Sequence, residues 1–185
     1  KFNLIGVDPT IKKFKKNYRK DIIRVTNFFS KNVLTPIIKK KAKLITSIAM
    51  FYDLEDPIKF AEDIYELLDK DGIWHLELSY MPLMIKNLSY DTICHEHLEY
   101  YSLNSIKYIF DKVGFSIIDI QLNDINGGSF SLTLSKKKKS NNKVVDWLLN
   151  QELKDNINNI STFKEFFLKI NKQKKDLKDL LKNLI

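Results

Sequence analysis

Apolar and polar positions along this chain switch between two periods, and the switching outlines the elements. Short apolar runs at residues 2–7 (FNLIGV), 22–29 (IIRVTNFF), 42–52 (AKLITSIAMFY) and 72–80 (GIWHLELSY) have the length and the β-branched or aromatic content of strands. The run at 42–52 is the most continuous and is expected in the centre of a sheet, covered on both faces. Helical spacing fills the gaps: a basic segment over 10–20, a short helix over 31–40 capped by Ser30 and limited by Pro36, and a strongly amphipathic helix over 58–70. The last of these opens at Asp56-Pro57, carries Ile58, Ala61, Ile64, Tyr65 and Leu68 on one face, and is expected to turn out at Asp71-Gly72. A helix over 103–113 ends at Gly114, which suits a left-handed stop. Two further strands at 115–122 and 129–136 flank NDINGG, an antiparallel hairpin signal.

Strand and helix therefore alternate until the hairpin. That order predicts an α/β fold of the Rossmann-like kind, with a mostly parallel sheet, helices on both faces and a closing antiparallel hairpin. The character changes near residue 140. Phe163, Phe166, Phe167 and Ile170, then Leu177, Leu180, Leu181 and Leu184, recur at helical spacing, so 139–185 reads as a helical extension of a domain over 1–138. Its apolar stripes need a partner, either the domain itself or another chain or domain.

Composition narrows the class. With 44% hydrophobic residues the chain can bury a core. One cysteine, Cys94, excludes an internal disulfide and a cysteine-based zinc site within the chain, and suits a reducing, cytoplasmic setting. The net charge of +8 comes from dispersed lysines, with arginine only at Arg19 and Arg24, so it reads as solvated surface rather than a nucleic-acid face. No apolar run reaches the roughly 20 residues of a membrane span, and no membrane partner is expected.

Chemistry concentrates in residues 90–103, YDTICHEHLEYYSL, where His95 and His97 flank Glu96 among Tyr90, Tyr100 and Tyr101. The segment lies between a strand and a helix, where ligands of open α/β sheets gather. Several readings stay open from the residues alone. His95 and His97 could ligate a metal, but no third ligand is indicated. Cys94 could be a nucleophile, but a buried, inert cysteine is the expectation. The tyrosines could simply pack, and His75, inside a strand, is expected to be structural. In an extended 95–97 segment Glu96 would point away from both histidines, so only a bend lets Glu96 and His97 reach one ligand.

YDTICHEHLEYYSL, followed by NGGSF at 126–130, resembles the S-adenosylmethionine-dependent sugar C-methyltransferase family, whose members carry a tyrosine-rich HEH loop and then a GGS turn. The resemblance covers roughly residues 2–136. It implies a class I methyltransferase sheet and methylation of a carbon beside a ketone in a nucleotide-linked deoxysugar. His97 would be the base that removes the carbon-bound proton and Glu96 its substrate-contacting neighbour, with Tyr90, Cys94 and His95 against the substrate. Cys94 stands where the family often has a tyrosine. S-adenosylmethionine would meet Asp8 at its ribose; Asn27 and Phe28 could flank its adenine, a core-and-loop role being the plainer one, and Ala49 and Met50, at the exit of the central strand where a cofactor would lie, are equally good core residues. A carboxylate ending a strand is suited to ribose hydroxyls on general grounds as well; an Asp-Pro turn is the plainer role for Asp8.

Three family features are not found in this sequence: a cysteine-rich zinc module, the family's one place for zinc; a first strand with a glycine-rich turn; and a further C-terminal α/β domain, into which the helical extension over 139–185 is expected to lead, so the chain is expected to be the middle of a longer enzyme. Because that first strand lies between the family's second and fourth, the chain is expected either to be poorly stable alone or to close its sheet around the gap. Methyl transfer to oxygen or nitrogen of another small acceptor, and an inactive basic binding module on the same sheet, are the alternatives to a sugar C-methyltransferase.

Overall fold

A computed structural model describes residues 3–137 and 142–184. Four strands form the principal sheet: β3 (Ala42–Ile48), β4 (Leu68–Ser79), β5 (Ser116–Asn123) and β6 (Ser129–Ser135), in the order β3-β4-β6-β5. β3 and β4 are parallel, while β6 runs antiparallel between β4 and β5, as the glycine-rich hairpin requires. A second, two-stranded parallel sheet joins β1 (Leu4–Val7) to β2 (Ile22–Val25).

The helices are α1 (Ile11–Phe14), α2 (Lys31–Leu34), α3 (Pro57–Leu67), α4 (Met81–Asn87), α5 (Leu103–Val113), α6 (Lys143–Lys154) and α7 (Ile160–Leu184). α3 begins as the sequence dictates, with Pro57 in its first turn and Asp56 Oδ1 accepting the Lys59 N–H at 2.9 Å. It presents Ala61 and Ile64 to a core that also takes Phe51, Trp74, Leu76, Leu103, Ile106, Phe110, Phe130 and Leu132. Inside that core the indole N–H of Trp74 donates to Ser47 Oγ at 2.8 Å, which satisfies both buried groups. α5 carries a reciprocal cap between Ser102 and Ser105 and stops at Gly114, φ 101°. A smaller cluster of Val25, Leu34 and Leu67, with Ile45 against it, bridges the two sheets.

Several expectations are corrected. β3 is an edge strand among the described residues: β4 pairs with one side of it, and the β1–β2 sheet stands apart rather than closing onto the other. Leu44 and Ile48 are half-exposed on the face of β3 opposite Ile45 and Ser47. Apolar content reports which faces a strand covers, whereas its place in a sheet depends on backbone partners, and the sequence pattern is blind to those. The second strand stops at Val25, four residues before Phe29. The basic segment after β1 is only α1 and a 3-10 turn over Lys15–Asn17. α3 ends at Leu67, and the turn placed at Asp71-Gly72 is a bulge inside β4, where the register with β3 slips between Ala42 and Leu44. A Cβ at Gly72 would lie 2.8 Å from the Ala42 carbonyl oxygen, so the bulge packs too tightly for a side chain.

The tail folds as α6 and a single long α7. α6 packs Val145 and Leu148 into the main core. α7 buries Phe166, while Phe167, Leu177, Leu180, Leu181 and Leu184 stay half to mostly exposed. Among the described residues no helix is long and apolar enough to cross a membrane.

Candidate active site

The segment that follows β4 is a long excursion pinned at its base. After α4, a 3-10 turn (Tyr90–Thr92) begins the loop, and the chain returns to a parallel bridge between Tyr80 and Tyr101, where the Met81 N–H donates to the Tyr101 carbonyl at 2.9 Å. The far end is anchored from α6. The buried Glu152 carboxylate accepts the Tyr80 hydroxyl (2.7 Å) and the N–H groups of Leu103 (2.6 Å) and Asn104 (3.0 Å). Burial, then the neighbouring Glu152 carboxylate, pushes the Tyr80 hydroxyl well above the usual phenol range.

The NGGSF hairpin holds the near end. Gly127 and Gly128 have φ of 78° and 128°, and a Cβ on them would lie 2.1 Å from Ser89 Oγ and 2.4 Å from Leu83 Cβ. The Asn87 side-chain amide donates to the Gly127 carbonyl at 2.8 Å. The glycine turn therefore packs against α4 and Ser89, where the segment that carries the HEH loop begins.

Within the loop the backbone bends. The His97 N–H donates to the Cys94 carbonyl at 3.3 Å, which makes His95 and Glu96 the central pair of a turn rather than part of a strand. His97 is half-buried, and His95, Glu96 and Cys94 are exposed. The expectation of a buried Cys94 is thus corrected: its place before a turn, and not its apolar chemistry, decides its exposure.

The His97 ring is held from three sides. Its Nδ1 lies 2.8 Å from the Thr92 carbonyl oxygen, its ring centre is 4.3 Å from that of Tyr52, and the Tyr100 ring lies 6.4 Å away. A carbonyl only accepts, so Nδ1 carries the proton and, in the neutral ring, Nε2 keeps the lone pair. The Tyr52 carbonyl also fixes the next two residues, accepting the N–H groups of Leu98 (3.0 Å) and Glu99 (3.1 Å).

Tyr52 belongs to a 3-10 turn (Phe51–Asp53) just past the exit of β3. Partial burial holds the Asp53 carboxyl above the usual carboxylate range; Glu96 adds to this and His97 opposes it. Tyr52 and Asp53 escaped the sequence reading. The available signal was their place in the strand-exit run AMFYDLEDP, since exits of parallel strands share one edge of the sheet.

Other candidates also lie at strand exits. Asp8 follows β1, and its Oδ1 accepts both the N–H (2.5 Å) and the hydroxyl (2.6 Å) of Thr10. Asn27 and Phe28 follow β2; Phe28 is 75% exposed, and the Asn27 side-chain oxygen accepts the Phe28 N–H at 2.8 Å. Ala49 and Met50 follow β3, with Ala49 in the left-handed region at φ 51° and Met50 against the main core. His75 is remote in role, its Nδ1 3.0 Å from Thr133 Oγ1 on the paired strand. Tyr90 faces a groove of about 520 Å³ shared with Leu177 and Leu180 of α7. Among the described residues no three histidine, cysteine, aspartate or glutamate side chains converge as a metal cluster would.

Parallel strand pairs β1–β2 and β3–β4, the second closed by an antiparallel hairpin, with candidate ligand groups at the strand exits, fit a Rossmann-like methyltransferase fold, and solved structures agree. LepI, solved in complex with S-adenosylmethionine, superposes with a TM-score of 0.58 at 13% identity over 73% of this chain and 36% of its own. A putative methyltransferase from Bacillus halodurans superposes at 0.55, with 10% identity over 72% of this chain and 83% of that one. The family described as a methyltransferase domain matches residues 1–120, and that described as a C-methyltransferase C-terminal domain matches 124–185. The C-methyltransferase NovU of Streptomyces niveus is 33% identical over 88 residues, 48% of this chain but 21% of the relative's length. The chain belongs to the methyltransferases by the domain that spans residues 1–120, and its remaining third is similar to the C-terminal domain of C-methyltransferases.

Proposed function

We propose that this chain contributes the base and part of the cofactor cradle of a C-methyltransferase that methylates a carbon beside a ketone in a nucleotide-linked deoxysugar. The observation that carries the reading is the bond from His97 Nδ1 to the Thr92 carbonyl, which leaves Nε2 as the nitrogen able to accept a proton. A C–H bond next to a carbonyl loses its proton because the resulting enolate spreads charge onto oxygen, and a near-neutral base suits that step. Glu96, brought round by the turn at 94–97, is available to a hydroxyl of the same acceptor, with Tyr90, Cys94 and His95 around it.

The chain's groups fit S-adenosylmethionine. Asp8 engages Thr10 through one carboxylate oxygen, and among the described residues no hydrogen bond reaches the other, which is free for ribose hydroxyls. The exposed Phe28 face, with Asn27 beside it, suits an adenine, and Ala49 and Met50 supply the wall at the β3 exit. Bound there, S-adenosylmethionine supplies a methyl group on positively charged sulfur. The protein's own work is then alignment and exclusion of water. Residues 1–138 form the methyltransferase part in this reading, and 139–185 a helical extension tied to it through Glu152.

Incubating the full-length protein with labelled methyl donor and a panel of 4-keto sugar nucleotides tests the reading. Mass spectrometry is expected to place the methyl group on carbon, with loss of activity in His97→Ala and retention in His75→Ala. A product methylated on oxygen or nitrogen would replace the carbon-acceptor assignment.

A further inference from the structure

We propose that Glu152 is a positioning residue for the reaction: one carboxylate, brought by α6 from the C-terminal part of the chain, closes both ends of the HEH loop and so sets where Glu96 and His97 stand. The proposal rests on the reading of that loop as the acceptor side of the site, and adds that the helical extension takes part in it.

The two ends come from different elements. Tyr80 follows β4, and Leu103 and Asn104 begin α5; between them the chain runs through α4, the 3-10 turn and the turn at 94–97. Glu152 Oε1 accepts both the Tyr80 hydroxyl (2.7 Å) and the Leu103 N–H (2.6 Å), while Oε2 accepts the Asn104 N–H (3.0 Å). A single oxygen thus joins the residue before the loop to the residue after it. The direct link between the limbs, from the Met81 N–H to the Tyr101 carbonyl, lies just inside that closure.

Capping alone does not account for Glu152. Ser102 already accepts the Ser105 N–H through its hydroxyl and the Ile106 N–H through its carbonyl. The first two N–H groups of α5 remain, and a carboxylate from another helix takes them, where the partial positive charge of a helix start suits it. Glu152 is 5% exposed, so its bonds are shielded from competing water. Groups ordered before the acceptor arrives cost nothing to order at the moment of reaction.

The two sides of the site also separate. The candidate cofactor residues follow β1, β2 and β3, whereas Glu152 bonds to the β4 exit and the start of α5. Loss of Glu152 therefore acts on the acceptor side and spares the cofactor.

The experiment uses the full-length protein and its variants Glu152→Ala, Glu152→Gln, Tyr80→Phe and Tyr80→Phe with Glu152→Ala, each assayed well below its melting temperature. Three quantities are read: kcat and KM for the acceptor, S-adenosylhomocysteine affinity by calorimetry, and amide hydrogen exchange at Leu98 and Glu99, whose N–H groups bond to the Tyr52 carbonyl. Glu152→Ala is expected to lower kcat roughly tenfold to a hundredfold, to speed exchange at both amides about tenfold, and to leave cofactor affinity unchanged. Glu152→Gln, which keeps one acceptor oxygen, is expected to recover most of the turnover. Because Tyr80 and Glu152 act through one bond, Glu152→Ala is expected to cost less turnover in Tyr80→Phe than in the wild type. Cofactor affinity falling in step with turnover, or wild-type kcat and exchange in a destabilised Glu152→Ala, would overturn the proposal. Should Glu152→Ala not fold, Tyr80→Phe decides: slower turnover with faster exchange is expected, and wild-type values of both would overturn it. Full activity of His97→Ala would contradict the base reading and leave the exchange result standing.

Discussion

The Thr92 carbonyl oxygen lies 2.8 Å from Nδ1 of His97, and this contact decides which ring nitrogen can do chemistry. The partner is a main-chain group, so no substitution of Thr92 removes it. It survives only while the turn over Tyr90–Thr92 and the turn over 94–97 keep their relative place. Stability of the loop's anchors and competence of the site are therefore linked.

Glu152 is the first anchor to test. Replacing it by alanine leaves the Tyr80 hydroxyl and two helix N–H groups without their acceptor in a buried place. Glu152→Ala is expected to lower unfolding stability by about 2–3 kcal/mol, and Glu152→Gln, which keeps one acceptor oxygen, by clearly less. Urea denaturation followed by tryptophan fluorescence checks both; equal losses would mean that the carboxylate charge, and not the hydrogen bonding, holds the loop end.

Gly128 is the second. Its φ of 128° disfavours any side chain, and a Cβ would lie 2.4 Å from that of Leu83. Gly128→Ala is expected to destabilise the fold by roughly 1–3 kcal/mol and to reduce activity by displacing α4 beneath the loop. Thermal melting alongside turnover checks it, and wild-type behaviour in both would show that the hairpin does not support the site.

Asp53 gives a pH-dependent prediction whose sign can be worked out. Its carboxyl is held above the usual range, first by burial, so the folded state disfavours the carboxylate. The folded form binds the proton more readily than the unfolded one, so this destabilisation is present above the folded-state titration and disappears as pH falls below the unfolded value. Asp53→Asn is expected to raise stability slightly at neutral pH, with the gain vanishing in acid. Urea midpoints at neutral and acidic pH provide the check; a loss of stability at neutral pH would contradict the assigned cause.

Local grammar was legible because local physics writes it. Ile58, Ala61 and Ile64 set the face of α3, Ser102 and Gly114 bracket α5, and the NDINGG stretch turns β5 into β6. Less local features were hidden. α4 is short, with Pro82 in its first turn and only Met84 buried, so it leaves no amphipathic period to detect. The edge position of β3 depends on backbone pairing that side-chain composition does not encode. The HEH loop was marked by its own residues, but its supports were not. Tyr52 acts partly through its carbonyl, and Glu152 reaches α5 from a helix distant in sequence.

The most direct test of His97 as base is hydrogen–deuterium exchange at the acceptor carbon, measured in D2O with S-adenosylhomocysteine in place of the methyl donor, so that proton removal is seen without methyl transfer. The full-length wild-type protein is expected to catalyse exchange next to the ketone of the sugar nucleotide, and His97→Ala to fall to the uncatalysed rate while still binding both ligands. Undiminished exchange in His97→Ala would mean that another group takes the proton.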